Sequence, residues 1–289
     1  MSAPLTQPGT DALSQMLASQ LSAVQVVGGA QASIARAASV LAEGLKRGAR
    51  LHYAAAGSSG LMALADAAEL PGTFGIAPDQ IAVHMAGGVP VDGVMPGDTE
   101  DDADAALRAA ASVAAADVAI VVSASGTTPY ALAFAKAAKA GGAHVIGLAN
   151  VAGSALLEIA DIAIALPTGA EFVEGSTRLG AGTAQKVALN MMSTLAGIHL
   201  GHVHDGLMVN LNPDNIKLRK RAADIVSRIA GVPLAEAGRA LEATGYNAKA
   251  AVLVARGLTA AEAKARLEEH DGFLGACLAG PRAETQDQT

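Results

Sequence analysis

The sequence predicts an α/β fold of three layers, αβα, built on a five-stranded parallel sheet and followed by a small C-terminal helical domain. Three observations predict it. Short, uninterrupted apolar runs alternate with helical stretches between residues 51 and 165, which is how strands buried on both faces read. Turns rich in glycine and serine follow two of those runs and open helices. Beyond Asn212-Pro213-Asp214 the strand-like runs cease and short amphipathic helices take over.

Taken in order, residues 1–10 carry the composition of a flexible tail. From Asp11 to Gly48 apolar residues recur at helical spacing with a break at Gly28-Gly29, so two helices are expected. Leu51–Ala55 reads as the first strand, and a helix is expected from Gly60 to Glu69. Ile81–His84, Val118–Val122, Ala143–Leu148 and Ile162–Ala165 read as the other four strands, with a helix opening at Pro129. A long apolar helix, roughly Ala181 to Leu200, bears so few charges that it must be buried, in the core or against a second subunit. Gly231-Val232-Pro233 and Gly245-Tyr246-Asn247 then separate three helices, and Thr259 with Glu262 forms the capping box of a fourth. The expected organisation is a tail (1–10), a ligand-binding α/β domain with its N-terminal helices (11–211), a helical accessory domain (212–280) and a disordered tail (281–289).

Composition narrows the function. The chain has 289 residues, 51% of them hydrophobic and 16% charged, against roughly 25% charged in ordinary soluble domains. A surface so poor in charge suggests burial in an oligomer, although alanine-rich composition alone produces the same figure. A net charge of −7 argues against a nucleic-acid partner. The one basic run, Lys217-Leu218-Arg219-Lys220-Arg221, reads as the solvated face of a helix. The lone cysteine, Cys277, suits a reducing cytoplasm, and residues 1–12 lack the blocks of a signal peptide. The most apolar stretch, Val118–Ala124, is too short to span a bilayer, so no membrane partner is expected and the expected location is cytoplasmic.

Two turns share one chemical idea. Gly57-Ser58-Ser59-Gly60 and Ser123-Ala124-Ser125-Gly126-Thr127-Thr128 each follow a strand and open a helix. Free N–H groups at a helix start attract anions, hydroxyls add donors without bulk, and glycine lets the backbone come close. Neither turn has the lysine of a Walker loop, which favours a phosphate monoester on a small molecule over a nucleotide. The plainer reading is that these hydroxyls cap helices. A third segment, Glu174-Gly175-Ser176-Thr177-Arg178, adds hydroxyls, and Lys186 further on offers a cation for a phosphate or carboxylate. Among the acids, Glu69 has apolar sequence neighbours, so a desolvated carboxylic acid is expected there. Glu100, in Gly97-Asp98-Thr99-Glu100-Asp101-Asp102, lies at a helix start, where acids commonly just compensate the dipole. Two carboxylates in unlike environments are also how one site runs an acid and a base together.

These segments resemble the N-acetylmuramic acid 6-phosphate etherase family of the sugar-isomerase (SIS) class. The family's turns read close to Gly-Thr-Ser-Gly-Arg, Ala-Ser-Gly-Arg-Thr-Pro-Tyr and Gly-Ser-Thr-Arg-Met-Lys-Ala-Gly-Thr-Ala-Gln-Lys. They are met here by Gly57–Leu61, Ala124–Tyr130 and Gly175–Lys186, and the likeness runs from about residue 35 to 280. The resemblance implies a dimer with its site at the subunit interface. It also implies cleavage of the lactyl ether of N-acetylmuramic acid 6-phosphate to N-acetylglucosamine 6-phosphate and D-lactate. The family's two functional glutamates fall on Glu69, assigned as acid, and Glu100, assigned as base, an order that could be reversed; no metal or organic cofactor is implied. Three family cations are replaced, at Leu61, Thr127 and Gly180. The residues also allow an aldose–ketose sugar-phosphate isomerase or a sugar-phosphate-sensing regulator without turnover. His199, His202 and His204 are too irregularly spaced for a helical metal site, and His84 and His144 read as core or edge positions of strands.

Overall fold

The computed structural model of the chain describes residues 9–279; the two tails expected at 1–10 and 281–289 lie, apart from Gly9 and Thr10, outside the described residues. The described chain divides into two compact units, one of residues 9–68 and 79–195 and one of residues 69–78 and 196–279.

In the first unit, α1 (Thr10–Val26) runs through a 3-10 turn at Val27–Ala30 into α2 (Gln31–Lys46), which places the expected break at Gly28-Gly29. The sheet follows: β1 (Leu51–Ala55), β2 (Ile81–Met85), β3 (Val118–Ser123), β4 (His144–Ala149) and β5 (Ile162–Ala165). All pair in parallel, in the order β2-β1-β3-β4-β5. Every residue of β1 and β3 is buried, so both faces are covered and no polar alternation survives in the sequence. Between the strands lie α3 (Gly57–Phe74), α4 (Ala103–Ala110), α5 (Pro129–Ala140) and α6 (Ala155–Ile159), and α7 (Gly180–His199) follows β5. On one face Phe134, Tyr130 and Ala131 of α5 pack with Ala106 of α4 over Ala54, Ala119 and Val121 of the strands. The alanines among them let helices sit close on the sheet, which is the structural use of the alanine-rich composition.

Helix α3 departs from expectation. It runs to Phe74 and contains Pro71, whereas the sequence suggested an end at Glu69. Proline removes one amide hydrogen bond, but Leu70 and Phe74, one turn apart, are both buried and hold the last turn in place. A Cβ on Gly197 would lie 2.8 Å from ring carbons of Phe74, so that ring seats against bare helix backbone.

Beneath the strands is a polar chain with no signal in the sequence pattern. His52 is fully buried; its Nε2 lies 3.0 Å from Asp117 Oδ2 and its Nδ1 2.9 Å from Nε2 of His84. A carboxylate only accepts, so His52 Nε2 carries the proton and Nδ1 accepts from His84. Burial would raise the Asp117 carboxyl, yet the backbone N–H groups of Arg50 and Ala114, together with His52, outweigh it and hold Asp117 below its usual range.

The second unit holds a two-stranded ribbon, β6 (Val203–His204) with β7 (Leu207–Met208), then α8 (Ile216–Ala230), α9 (Leu234–Ala243), α10 (Ala248–Ala255), α11 (Ala260–Glu269) and α12 (Leu274–Leu278). Val226, Leu241, Val252, Leu253 and Leu274 form its core. The capping box at Thr259 and Glu262 is complete, and Lys217, Arg219, Lys220 and Arg221 are exposed on α8 as a solvated face. Among the described residues no helix is long and apolar enough to cross a membrane.

Candidate functional site

The strand order places the site. The chain leaves β1 toward β2 on one side, then returns to lay β3 on the other side of β1, so the direction of winding switches between β1 and β3. In open α/β sheets ligands bind at such a switch, beyond the carboxyl ends of the strands. Both hydroxyl-rich turns are there: Ala55 of β1 is level with Val122 of β3, and each strand runs directly into one of them.

The first turn is the opening turn of α3 itself rather than a loop before it. Ser59 and Gly60 are buried, whereas Gly57 and Ser58 are half-buried and reachable. The second turn is knitted by its own hydroxyls. Ser123 Oγ accepts from Gly126 N–H at 3.0 Å and lies 2.8 Å from Thr128 Oγ1, and Ser125 Oγ accepts from both the N–H and the hydroxyl of Thr127. Ser123 is buried as the hub, and Ser125 and Thr127 are exposed on the rim. Gly126 has a φ of +67°, and a Cβ there would run into Ser154 Oγ, so this turn admits only glycine. Thr128 caps α5 without a side-chain bond, which leaves its hydroxyl to the hub.

Glu100 joins the two turns. Its backbone carbonyl accepts from Tyr130 N–H at 3.0 Å, tying it to the start of α5. Its carboxylate reaches the other turn, since a Cβ on Gly57 would collide with Glu100 Oε1. Gly57 has a φ of +55°, so both the turn and the carboxylate require glycine there. Glu100 is exposed and stands ahead of α4, whose N-cap is Asp102, bonded to Ala105 N–H at 2.7 Å. Capping, the plain role expected of an acid there, therefore belongs to Asp102 and not to Glu100.

Glu69 departs from its expectation. It is exposed within the single chain, because Ala67 and Leu70 wind onto the buried face of α3 while Ala68 and Glu69 face outward. Apolar sequence neighbours thus supply no desolvation on their own. One turn earlier, Asp66 is the buried acid of this helix. It accepts from Tyr53 Oη at 2.9 Å, Asn190 Nδ2 at 2.8 Å and Ser193 Oγ at 2.9 Å, and so ties α3 to β1 and α7.

In the third segment Glu174 and Thr177 are exposed, Ser176 is half-buried, and Lys186 projects from α7 into solvent. At the three positions where cations were replaced, Leu61 and Thr127 are exposed and Gly180 is buried. A cleft of about 560 Å³, lined in part by Arg47, Asp117, Lys139, His144 and Asp161, opens at the amino ends of the strands, away from these turns.

Comparison with known proteins shows the family and the fold. A model of the SIS domain matches residues 18–150. The N-acetylmuramic acid 6-phosphate etherase of Deinococcus radiodurans is 41% identical over 266 residues, 91% of this chain and 87% of that protein. That of Streptomyces avermitilis is 41% identical over 85% of this chain and 80% of its own length. Among solved structures, a Listeria monocytogenes protein described as a sugar-phosphate isomerase superposes with a TM-score of 0.53 at 14% identity, over 67% of this chain and 91% of that one. A Bacteroides fragilis protein described as a phosphosugar isomerase involved in capsule formation gives 0.50 at 16% identity, over 68% and 95%. The structural likenesses show the fold alone, and the sequence relatives carry further. With relatives at that identity along nearly its whole length, the chain belongs to the N-acetylmuramic acid 6-phosphate etherase family.

Proposed function

We propose that this protein cleaves the D-lactyl ether of N-acetylmuramic acid 6-phosphate, giving N-acetylglucosamine 6-phosphate and D-lactate. The observation that carries the reading is Glu100, a carboxylate with no capping duty held between two hydroxyl turns at the switch point of the sheet, in a chain of this family. The phosphate is met by the first amides of α3 and by Ser58, Ser125, Thr127 and Thr128, donors that suit a monoester without a basic side chain in either turn. Glu174, Ser176, Thr177 and Lys186 of the third segment contribute polar contacts around the rest of the sugar, and Ser59, Ser123, Gly60 and Gly126 shape the turns from behind.

The chemistry is elimination followed by hydration. In the open-chain sugar the aldehyde acidifies C2. Glu100 takes the C2 proton, the C2–C3 double bond forms as the C3–O bond breaks, and Glu69 delivers a proton to the departing lactate oxygen. Water then adds to C3 and a proton returns to C2, so the net change is hydrolysis and no redox partner is needed. Glu69 needs a drier setting than the single chain supplies. A homodimer that covers Glu69 provides one, and the exposed apolar stripe Leu13, Leu17 and Leu21 on α1 supports such an assembly. The free, buried Cys277 supports a reducing, cytoplasmic location.

Glu100→Gln tests the role directly. It should abolish turnover while keeping sugar-phosphate affinity within about fivefold, because its work is proton transfer and not binding. A variant that still released lactate at the parent rate would remove Glu100 from the chemistry.

A further inference from the structure

Helix α7 begins where a ligand anion would ordinarily be sought, and that place is filled by the chain itself. Glu171 Oε2 accepts from Gly180 N–H and Oε1 from Ala181 N–H, both at 2.8 Å. These are amides that a helix cannot satisfy internally, at the positive end of a 20-residue dipole. One carboxylate meets both in a bidentate grip, the strong form of such a bond. The fit is close, since a Cβ on Gly180 would lie 3.1 Å from Oε2 and 3.4 Å from the Cβ of Ala23 on α1.

The grip closes a loop. Residues 172–179 lie between Glu171 and the amides it holds, and they fold back on themselves through Ser176 N–H to Val173 O at 2.9 Å, Leu179 N–H to Ser176 O at 3.2 Å and Gly182 N–H to Thr177 O at 2.8 Å. Glu174, Thr177 and Arg178 project outward from this turn. We propose that Glu171 is a positioning residue: its carboxylate locks the 172–179 turn onto the start of α7, holding Glu174, Ser176, Thr177 and Arg178 ready for substrate and denying the helix end to the phosphate. The proposal rests on the etherase reading for what the turn contacts. It makes Glu171 matter for binding, with no direct part in bond breaking.

The test is made on the full chain. Glu171→Ala should lower kcat/KM for N-acetylmuramic acid 6-phosphate about tenfold or more, chiefly through KM, as expected when uniform binding is removed. The truncation leaves room for acetate, so tens of millimolar acetate should restore most of the loss in Glu171→Ala and leave the parent unchanged. Glu171→Gln, which keeps one acceptor oxygen, should fall between the two and serves if the alanine variant fails to fold. Amide exchange at Gly180 and Ala181 should quicken about tenfold or more in Glu171→Ala and slow again with acetate, whatever the activity. Quickened exchange with kcat/KM within twofold of the parent would overturn the positioning role, and unchanged exchange would overturn the grip. If the parent chain itself released no lactate, the etherase reading would fail while the exchange and acetate arms still judged the grip.

Discussion

Replacing Lys249 by methionine should stabilise the helical unit. Lys249 on α10 is only 6% exposed, and its Nζ donates to Gly272 O at 2.9 Å without a carboxylate beside it. Burial pushes the amine down from 10.5 to about 8, the nearby Cys277 opposing weakly. At about 1.4 kcal/mol for each unit, that shift corresponds to roughly 3 kcal/mol charged against the folded state at neutral pH. Methionine removes the charge and fills the same unbranched space. It also leaves the Gly272 carbonyl without its donor, which costs about 1 kcal/mol. The expected gain is therefore about 2 kcal/mol, or a roughly 30-fold slowing of amide exchange in α10 at pH 7. The pH dependence carries the sign. A base held below its unfolded pKa burdens the folded state fully below about pH 8 and is relieved as pH rises toward 10.5, so the parent should gain stability across that window and the variant should not. Faster exchange in Lys249→Met at pH 7, or parallel pH profiles for the two proteins, would refute the reasoning.

Three further perturbations follow from the same structure. Burial, with the neighbouring His52 and Arg50, lowers His84 from 6.5 to about 4, so the unfolded chain takes up its proton first and stability should fall as pH drops from 6.5 toward 4; His84→Gln should flatten that slope in thermal melts. Asp66→Ala strands the donors of Tyr53, Asn190 and Ser193 and should cost about 3 kcal/mol or more in urea unfolding, with Asp66→Asn losing less. Gly57→Ala should force the Glu100 carboxylate aside and cut kcat about 100-fold, the scale of one general base, while lowering stability by only about 1–2 kcal/mol for its positive φ.

What could be read from the sequence was whatever repeats along the chain. The five strands stood out as short, mostly apolar runs. Strands β1 and β3 are buried throughout, the edge strands β2 and β5 are only partly buried, and β1 and β5 end where their runs end. The capping box at Thr259 was legible because both partners lie within four residues. Contacts formed across the fold leave no such trace. Nothing in the spacing of His52 and Asp117, 65 residues apart, hinted at their bond, and nothing in the sequence singled out Glu171. The exposure of Glu69 was hidden for a related reason: neighbours along the chain are not neighbours around a helix, and Ala67 and Leu70 face the core while Ala68 and Glu69 face outward. The two hydroxyl turns could be found from composition, but their meeting at one switch point required the strand order.

The most direct measurement incubates the purified protein with N-acetylmuramic acid 6-phosphate and assays D-lactate and N-acetylglucosamine 6-phosphate together, for the parent chain and for Glu69→Gln and Glu100→Gln. The account predicts both products in equal amounts from the parent and neither from the two variants. Sugar phosphate that binds and returns unchanged, or that isomerises without releasing lactate, would contradict it.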